Sequence, residues 1–236
     1  MNKFKVKYLG HSSFLVETDK CYLMFDYTGS VNEDEYEIMQ ADINFDDFKD
    51  KRLYMFQSHD HFDHYNKVLH EKISKYDNIV TILGDIKSKL KNTISMTAYD
   101  INDINNEIRV YAGRSTDLGV CFLIDLDGFV IFHSGDNADW GDGVPNNAIY
   151  YEEIDFFSNI DLKVDLVFIP ICNFFGERPN DMTKGAIYAI EKLNPDYVFP
   201  MHGDGREQLY SDFADDAKKA GIKNKIICMK KIGDEV

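Results

Sequence analysis

A chain of 236 residues has room for one domain with a sizeable core, and 44% hydrophobic against 28% charged residues is ordinary for a globular protein. The formal net charge of −15 disfavours long RNA or DNA as a partner, because phosphate backbones are bound largely through Lys and Arg. No apolar run approaches the ~20 residues of a membrane span, and the opening Met1-Asn2-Lys3-Phe4-Lys5-Val6-Lys7 lacks the apolar core of an export signal.

Short strand-like runs open the chain at Lys5–Leu9, Ser13–Thr18 and Cys21–Phe25, with turns at Gly10-His11 and Asp19-Lys20. Residues 29–50 are acidic and without strong period, and read as an irregular insertion holding a short helix. Leu53–Gln57 is a short apolar run. Val68, Leu69 and Ile73 then fall at helical spacing between about Asn66 and Tyr76. A strand at Ile79–Leu83 precedes a helical turn or two over Asp85–Lys91. Strands follow near Ser95–Tyr99 and Ile108–Ala112. Val120–Leu126 and Phe129–His133 flank Asp127-Gly128, a two-residue hairpin signal. A helix over Ala148–Phe157, a buried strand at Leu166–Ile171, a helix over Met182–Leu193 and a strand at Tyr197–Pro200 come next. A helix near Glu207–Ala220 and a strand at Lys225–Met229 close the chain. No linker or low-complexity tract interrupts this order, so residues 1–236 read as a single domain, with two sheets and helices outside them. Cys21, Cys121, Cys172 and Cys228 are far apart and form no CxxC pair, as expected of thiols in a reducing cytoplasm.

The densest chemistry lies in Ser58-His59-Asp60-His61-Phe62-Asp63-His64. Three of the seven histidines and two carboxylates occupy six consecutive positions. Imidazole and carboxylate together suit zinc, manganese and iron. On an extended segment His59 and His61 point to the same side and can grip one ion. Asp63 and His64 diverge toward a second position. Further ligands must come from afar, and Asp136 and His202 each follow an apolar strand-like run. Asp136, with two oxygens, can bridge both ions. Asp26 ends another such run and is expected to orient a ligand histidine rather than touch metal.

These residues resemble the metallo-β-lactamase fold superfamily of metal-dependent hydrolases. The matching positions are Gly10-His11, Asp26, His59-x-His61-x-Asp63-His64, Gly135-Asp136 and His202, in order over nearly the whole chain. The opening Tyr8-Leu9-Gly10-His11-Ser12-Ser13-Phe14 is similar to the branch containing ascorbate-6-phosphate lactonase. The resemblance implies an α/β fold: a four-layer αββα sandwich of two mixed β-sheets flanked by helices, with a metal site at one edge. One departure stands out. The family usually supplies a further histidine before the Gly-Asp motif, and no histidine occurs between His70 and His133. The first site either recruits Asp117, Ser115 or His11, or binds its ion weakly, or receives the Arg114 guanidinium instead.

The expected metal ligands are therefore His59, His61, Asp63, His64, Asp136 and His202, holding one or two divalent ions, with zinc first and manganese or iron as alternatives. Asp63, His11 and His133 are the candidate catalytic groups; His11 and His133 read equally as polar residues satisfied within the fold. No separate organic cofactor site is expected. Arg114, Arg178 and Lys184 either hold an anionic substrate group or make surface ion pairs. Trp140 and Phe174-Phe175 either line a cleft or belong to the core. The expected function is hydrolysis of a small lactone or phosphoester metabolite by metal-activated water, in a cytoplasmic protein, with a homo-oligomer as the base-rate expectation. The alternatives are a degenerate metal- or ligand-binding scaffold, a nuclease, and di-iron redox chemistry, whose relatives carry Glu where this chain has His61.

Overall fold

Alternation of side chains along the strands divides the apolar residues between two cores. In β3 (Cys21–Phe25) and β6 (Arg52–Gln57), Leu23, Phe25, Tyr54 and Phe56 face a central core, while Tyr22, Met24, Leu53 and Met55 face a second, outer one. Such strands are buried on both faces, which is why they read as continuous apolar runs. The computed structural model describes residues 4–33, 36–141, 144, 147–173, 178 and 180–236.

The first sheet also contains β1 (Phe4–Gly10), β2 (Ser13–Thr18), β7 (Ile79–Gly84) and β8 (Thr93–Met96), in the order β1-β2-β3-β6-β7-β8. Its first three strands are antiparallel neighbours and the rest pair in parallel. A small hairpin, β4 (Val31–Glu33) and β5 (Tyr36–Ile38), stands apart. The second sheet contains β9 (Ile101–Ile104), β10 (Ile108–Arg114), β11 (Val120–Leu126), β12 (Phe129–His133), β13 (Leu166–Pro170), β14 (Tyr197–Met201) and β15 (Lys225–Ile226). They run in the order β15-β14-β13-β12-β11-β10-β9, parallel from β12 to β15 and antiparallel from β9 to β12.

The two sheets pack face to face over the central core, where Phe14, Phe25, Phe56, Phe122 and Phe168 interlock. Each such side chain contributes about 1.5–3 kcal/mol by leaving water. Outside the first sheet, α1 (Lys67–Ile73) and a 3-10 turn (Phe45–Phe48) cover the second core through Ile73 and Phe48. Outside the other sheet lie α2 (Asn147–Ser158), α3 (Asn180–Leu193) and α4 (Gln208–Lys219), which bury Tyr150, Ile154, Phe157, Ile190 and Phe213. The result is the expected αββα order of layers. Residues 234–236 hydrogen-bond to the free edge of β1, which closes that edge to strand addition. Among the described residues no helix is long and apolar enough to cross a membrane.

Four local expectations change. Asp85–Lys91 is not helical: Asp85 takes a left-handed φ of 54° and the run lies alongside β8, where the Ile86 carbonyl accepts from Ser95 Oγ. The strand expected over Ser95–Tyr99 begins and ends earlier, at Thr93–Met96, and β9 follows it unannounced. The irregular insertion at 29–50 holds the β4–β5 hairpin as well as its short helix. The closing strand is two residues long.

Candidate functional site

One rim of the sandwich collects the strand ends that carry the chemistry. His11 follows β1, Asp26 follows β3, residues 58–66 follow β6, Asp136 follows β12 and His202 follows β14. Several of these residues turn sharply as their strands end: φ is 54° at His11, 43° at Asp26, 52° at Gly135 and 72° at His202. Left-handed φ at bulky non-glycine residues is strained backbone, and here it aims side chains into the rim.

Two groups of donors form there. His11, Asp63, His64 and His202 make a buried inner group, and His59, His61, Asp117 and Asp136 an outer one; within each, the donor atoms lie within 4.8 Å of one another. His11 Nε2 lies 3.2 Å from Asp63 Oδ2, and His64 Nε2 lies 3.5 Å from the same oxygen. Asp136 stands between the groups. Its Oδ1 is 3.3 Å from His64 Nε2, and its Oδ2 is 3.5 Å from His202 Nε2 and 3.7 Å from His59 Nε2. His59 Nε2 and His61 Nδ1 approach to 3.0 Å. Nitrogens held about 2.05 Å from a tetrahedral zinc sit about 3.3 Å apart, so these separations are those of ligands around a common cation.

The hydrogen-bond network behind the rim fixes which nitrogen each ring presents. Ser58 donates to Asp26 through both its backbone N–H (2.7 Å) and its hydroxyl (2.9 Å). His64 Nδ1–H donates to Asp26 Oδ2 at 2.9 Å. The Ser58 hydroxyl oxygen in turn accepts from His59 Nδ1–H at 2.9 Å. His202 Nδ1–H donates to the Cys172 carbonyl at 3.0 Å. Three imidazoles thus spend Nδ1 on the protein and turn Nε2 inward, the arrangement of metal-binding histidines. Nε2 of His11, His64 and His202 and Oδ1 of Asp136 are buried without a hydrogen-bond partner. Each such orphan costs about 1–3 kcal/mol, and convergent orphans of this chemistry fit a divalent cation.

The electrostatics agree. Burial and the nearby His64 hold His59 down at about 4, so it is neutral at pH 7. Burial also opposes a charge on His202, but the Asp136 carboxylate overrides it and carries the ring up to about 10. His64 is likewise raised: burial works against its charge, and Asp136, Asp63 and Asp26 together outweigh it. Burial would push Asp63 and Asp136 up, yet the surrounding imidazoles hold both well below the usual carboxylate range. In the absence of a cation, protons take up the positive role the carboxylates demand.

The other sequence candidates fall differently. His133 lies behind the rim, not in it. Its ring stacks on Phe25 at 4.7 Å, Nε2 donates to the Ser12 carbonyl, and Nδ1 accepts from the Gly135 N–H. With both nitrogens committed to backbone, it supports the fold rather than the expected catalytic role. Arg114 does not stand in for a cation: it pairs with buried Glu153 at 2.7 Å and with Glu152 at 3.0 Å. Arg178 pairs with Asp216 at 2.8 Å. His11, weighed for the first site, joins the other group, and Asp117 stands at the first. Asp63 and His64 occupy a turn, in which His64 N–H donates to the His61 carbonyl, and the helix begins only at Lys67. Ser58 was not singled out by sequence; a lone serine before a histidine carries no signal until Asp26 is placed beside it.

A cleft of about 560 Å³ opens onto both groups. Asp63, Asp117, Asp136 and His202 form part of its lining, and Tyr36, Phe62, Trp140 and Val144 give it an apolar wall. Trp140 is fixed by a bond from its indole N–H to Thr116 Oγ1. Phe174-Phe175 lies outside the described residues.

The family model described as a β-lactamase superfamily domain matches residues 5–202, a span that contains every residue of both donor groups. The chain belongs to this family. Its curated relatives include a UPF0173 metal-dependent hydrolase of Pyrococcus abyssi, 27% identical over 96% of both chains. Another, from Caldivirga maquilingensis, is 27% identical over 88% of this chain and 85% of its own. Among solved structures, the metallo hydrolase Igni18 of Ignicoccus hospitalis superposes with a TM-score of 0.69 at 18% identity, covering 99% of this chain and 97% of that one. That likeness speaks for the fold.

Proposed function

We propose that this β-lactamase superfamily chain is a hydrolase of small lactones or phosphoesters, using a divalent metal centre held by His59, His61, Asp63, His64, Asp136 and His202. The observation that carries this reading is the convergence of buried Nε2 atoms without hydrogen-bond partners on the Asp136 carboxylate beside an open cleft. The similarity of Tyr8–Phe14 to the ascorbate-6-phosphate lactonase branch supports the substrate class.

A divalent ion supplies a nucleophile at neutral pH by lowering the pKa of its water to about 7, and it polarises a carbonyl or phosphoryl oxygen. The chain does the rest. Tyr36, Phe62 and Trp140 hold the organic part of the substrate against the apolar wall. Asp63, kept ionised, orients the attacking water. Asp26 and Ser58 keep the His59 and His64 rings from rotating. Water adds its oxygen to the carbonyl or phosphoryl centre, the ester C–O or P–O bond breaks, and the proton lost by that water ends on the leaving oxygen.

His61→Ala and Asp63→Ala test the assignment. Both should lower bound zinc or manganese, measured by elemental analysis, and both should abolish hydrolysis across a panel of lactones and phosphodiesters. Wild-type metal content in the two variants would refute it.

A further inference from the structure

We infer that the two halves of the centre are chemically unequal, with Asp117 completing an outer half that prefers a harder cation than the inner half does. This rests on the metal-centre reading above and asks what each half selects. The inner group presents three imidazoles and one carboxylate, from His11, His64, His202 and Asp63. The outer group presents two imidazoles and one carboxylate of its own, from His59, His61 and Asp117, and Asp136 stands between the groups, its oxygens 3.3 Å from His64 Nε2 and 3.7 Å from His59 Nε2. The outer half thus has one imidazole fewer for the same carboxylates; imidazole-rich sets suit zinc, whereas a larger share of carboxylate oxygen shifts a site toward manganese and other oxygen-seeking ions.

Asp117 is built into place. Its carboxylate lies 3.5 Å from His61 Nδ1, and His61 lies 3.0 Å from His59 Nε2. The loop that carries it is pinned on both sides of the residue. Before it, the Thr116 N–H donates to Asn137 Oδ1 and the Thr116 hydroxyl to the Ala138 carbonyl. After it, Gly119 sits at φ +69°, so close to the metal loop that a Cβ there would lie 2.0 Å from the Ser58 carbonyl oxygen and 2.6 Å from His59 Cβ. Ser115 is spent accepting the Asp117 N–H, and Arg114 is spent on Glu153. Of the groups in this loop, Asp117 is the one that faces the two imidazoles.

Exposure separates the halves again. The His61 and Asp117 side chains are 43% and 38% exposed, whereas His11 and Asp63 are 1% and 6% exposed. The inner half is therefore the more enclosed, although Asp63 and His202 still border the cleft. The outer half is more open to solvent, so an ion held there would exchange faster.

The test is metal selectivity rather than turnover. Chelator-stripped protein receives two equivalents each of Zn²⁺ and Mn²⁺, is dialysed, and is analysed for both elements, with manganese binding followed by electron paramagnetic resonance. We expect one zinc and one manganese per chain. Asp117→Asn should weaken the manganese by about tenfold or more, since even the loss of an outer-shell partner costs 10–100-fold, and should leave the zinc affinity unchanged within about twofold. Asp117→His should keep two ions and move the second toward zinc. A second, independent check on these variants is their circular dichroism, which should match the wild type. Manganese bound by Asp117→Asn as tightly as by wild type, or zinc filling both halves of the wild type with equal affinity, would overturn the inference. A chain that takes one zinc and no second ion also overturns it while leaving the metal-centre reading intact. A chain that takes no metal defeats both.

Discussion

Asp26 never reaches the cleft, yet it should control metal affinity. Its carboxylate accepts from the Ser58 N–H, the Ser58 hydroxyl and His64 Nδ1–H. Asp26→Asn preserves the shape and leaves one acceptor oxygen and one amide donor. The oxygen can keep the Ser58 N–H. The new amide then faces the Nδ1–H of His64, donor against donor. The ring escapes by moving its proton to Nε2, the atom that must be bare to bind a cation. Hydrogen bonds to a charged group contribute about 1.5–3 kcal/mol each, and partners of ligand histidines typically govern 10–100-fold in affinity. That range is about 1.4–2.7 kcal/mol at 25 °C. Competition against a chromophoric chelator at neutral pH measures it directly. Zinc affinity of Asp26→Asn within about threefold of wild type, in protein that folds normally, would show that Asp26 does not set the His64 tautomer.

Gly119→Ala should disturb the metal loop from outside, because its φ of +69° and the 2.0 Å approach to the Ser58 carbonyl leave no place for a methyl group; we expect a loss of at least about 1–3 kcal/mol in stability by denaturant unfolding, with reduced metal content. Arg114→Ala leaves the buried Glu153 carboxylate without its cation and should cost about 1–3 kcal/mol while bound metal stays at wild-type level. Metal-free protein should lose thermal stability in alkali. His202 is raised to about 10, so its contribution is complete below its ordinary value of 6.5 and disappears as pH climbs through about 10. Asp136 is depressed, so its contribution is present above 3.8 and disappears as pH falls below that value. Unfolding scans of the metal-free chain between pH 5 and 10 check this; a flat or rising midpoint above pH 7 would contradict it.

Elements buried on both faces were readable in the sequence because nothing polar interrupts them. Tyr22–Phe25, Leu53–Phe56, Phe129–Phe132 and Leu166–Ile169 all lie where the apolar runs placed them. Short edge elements were not. β9 has Ile101 exposed and only Ile104 buried, so it carries no alternation to read. The run at Asp85–Lys91 has helix-forming residues but no tertiary face to bury, and a left-handed Asp85 sends it elsewhere. The site divides in the same way. His59, His61, Asp63 and His64 are local and could be found by spacing. Whether Asp117, Ser115 or His11 stands at the first position depends on how the β10–β11 loop packs on Ser58, and no one-dimensional pattern records that. His133 looked like His202, since both end apolar strands; the stacking on Phe25 and the two backbone bonds that distinguish them are tertiary.

Anomalous diffraction from metal-loaded crystals, collected at the zinc and manganese edges, tests the account most directly. It predicts density within bonding distance of Nε2 of His64 and His202, with Asp136 shared by a neighbouring peak beside His59, His61 and Asp117. A metal-loaded protein showing no peak at that rim, or one bound only elsewhere on the surface, would contradict it.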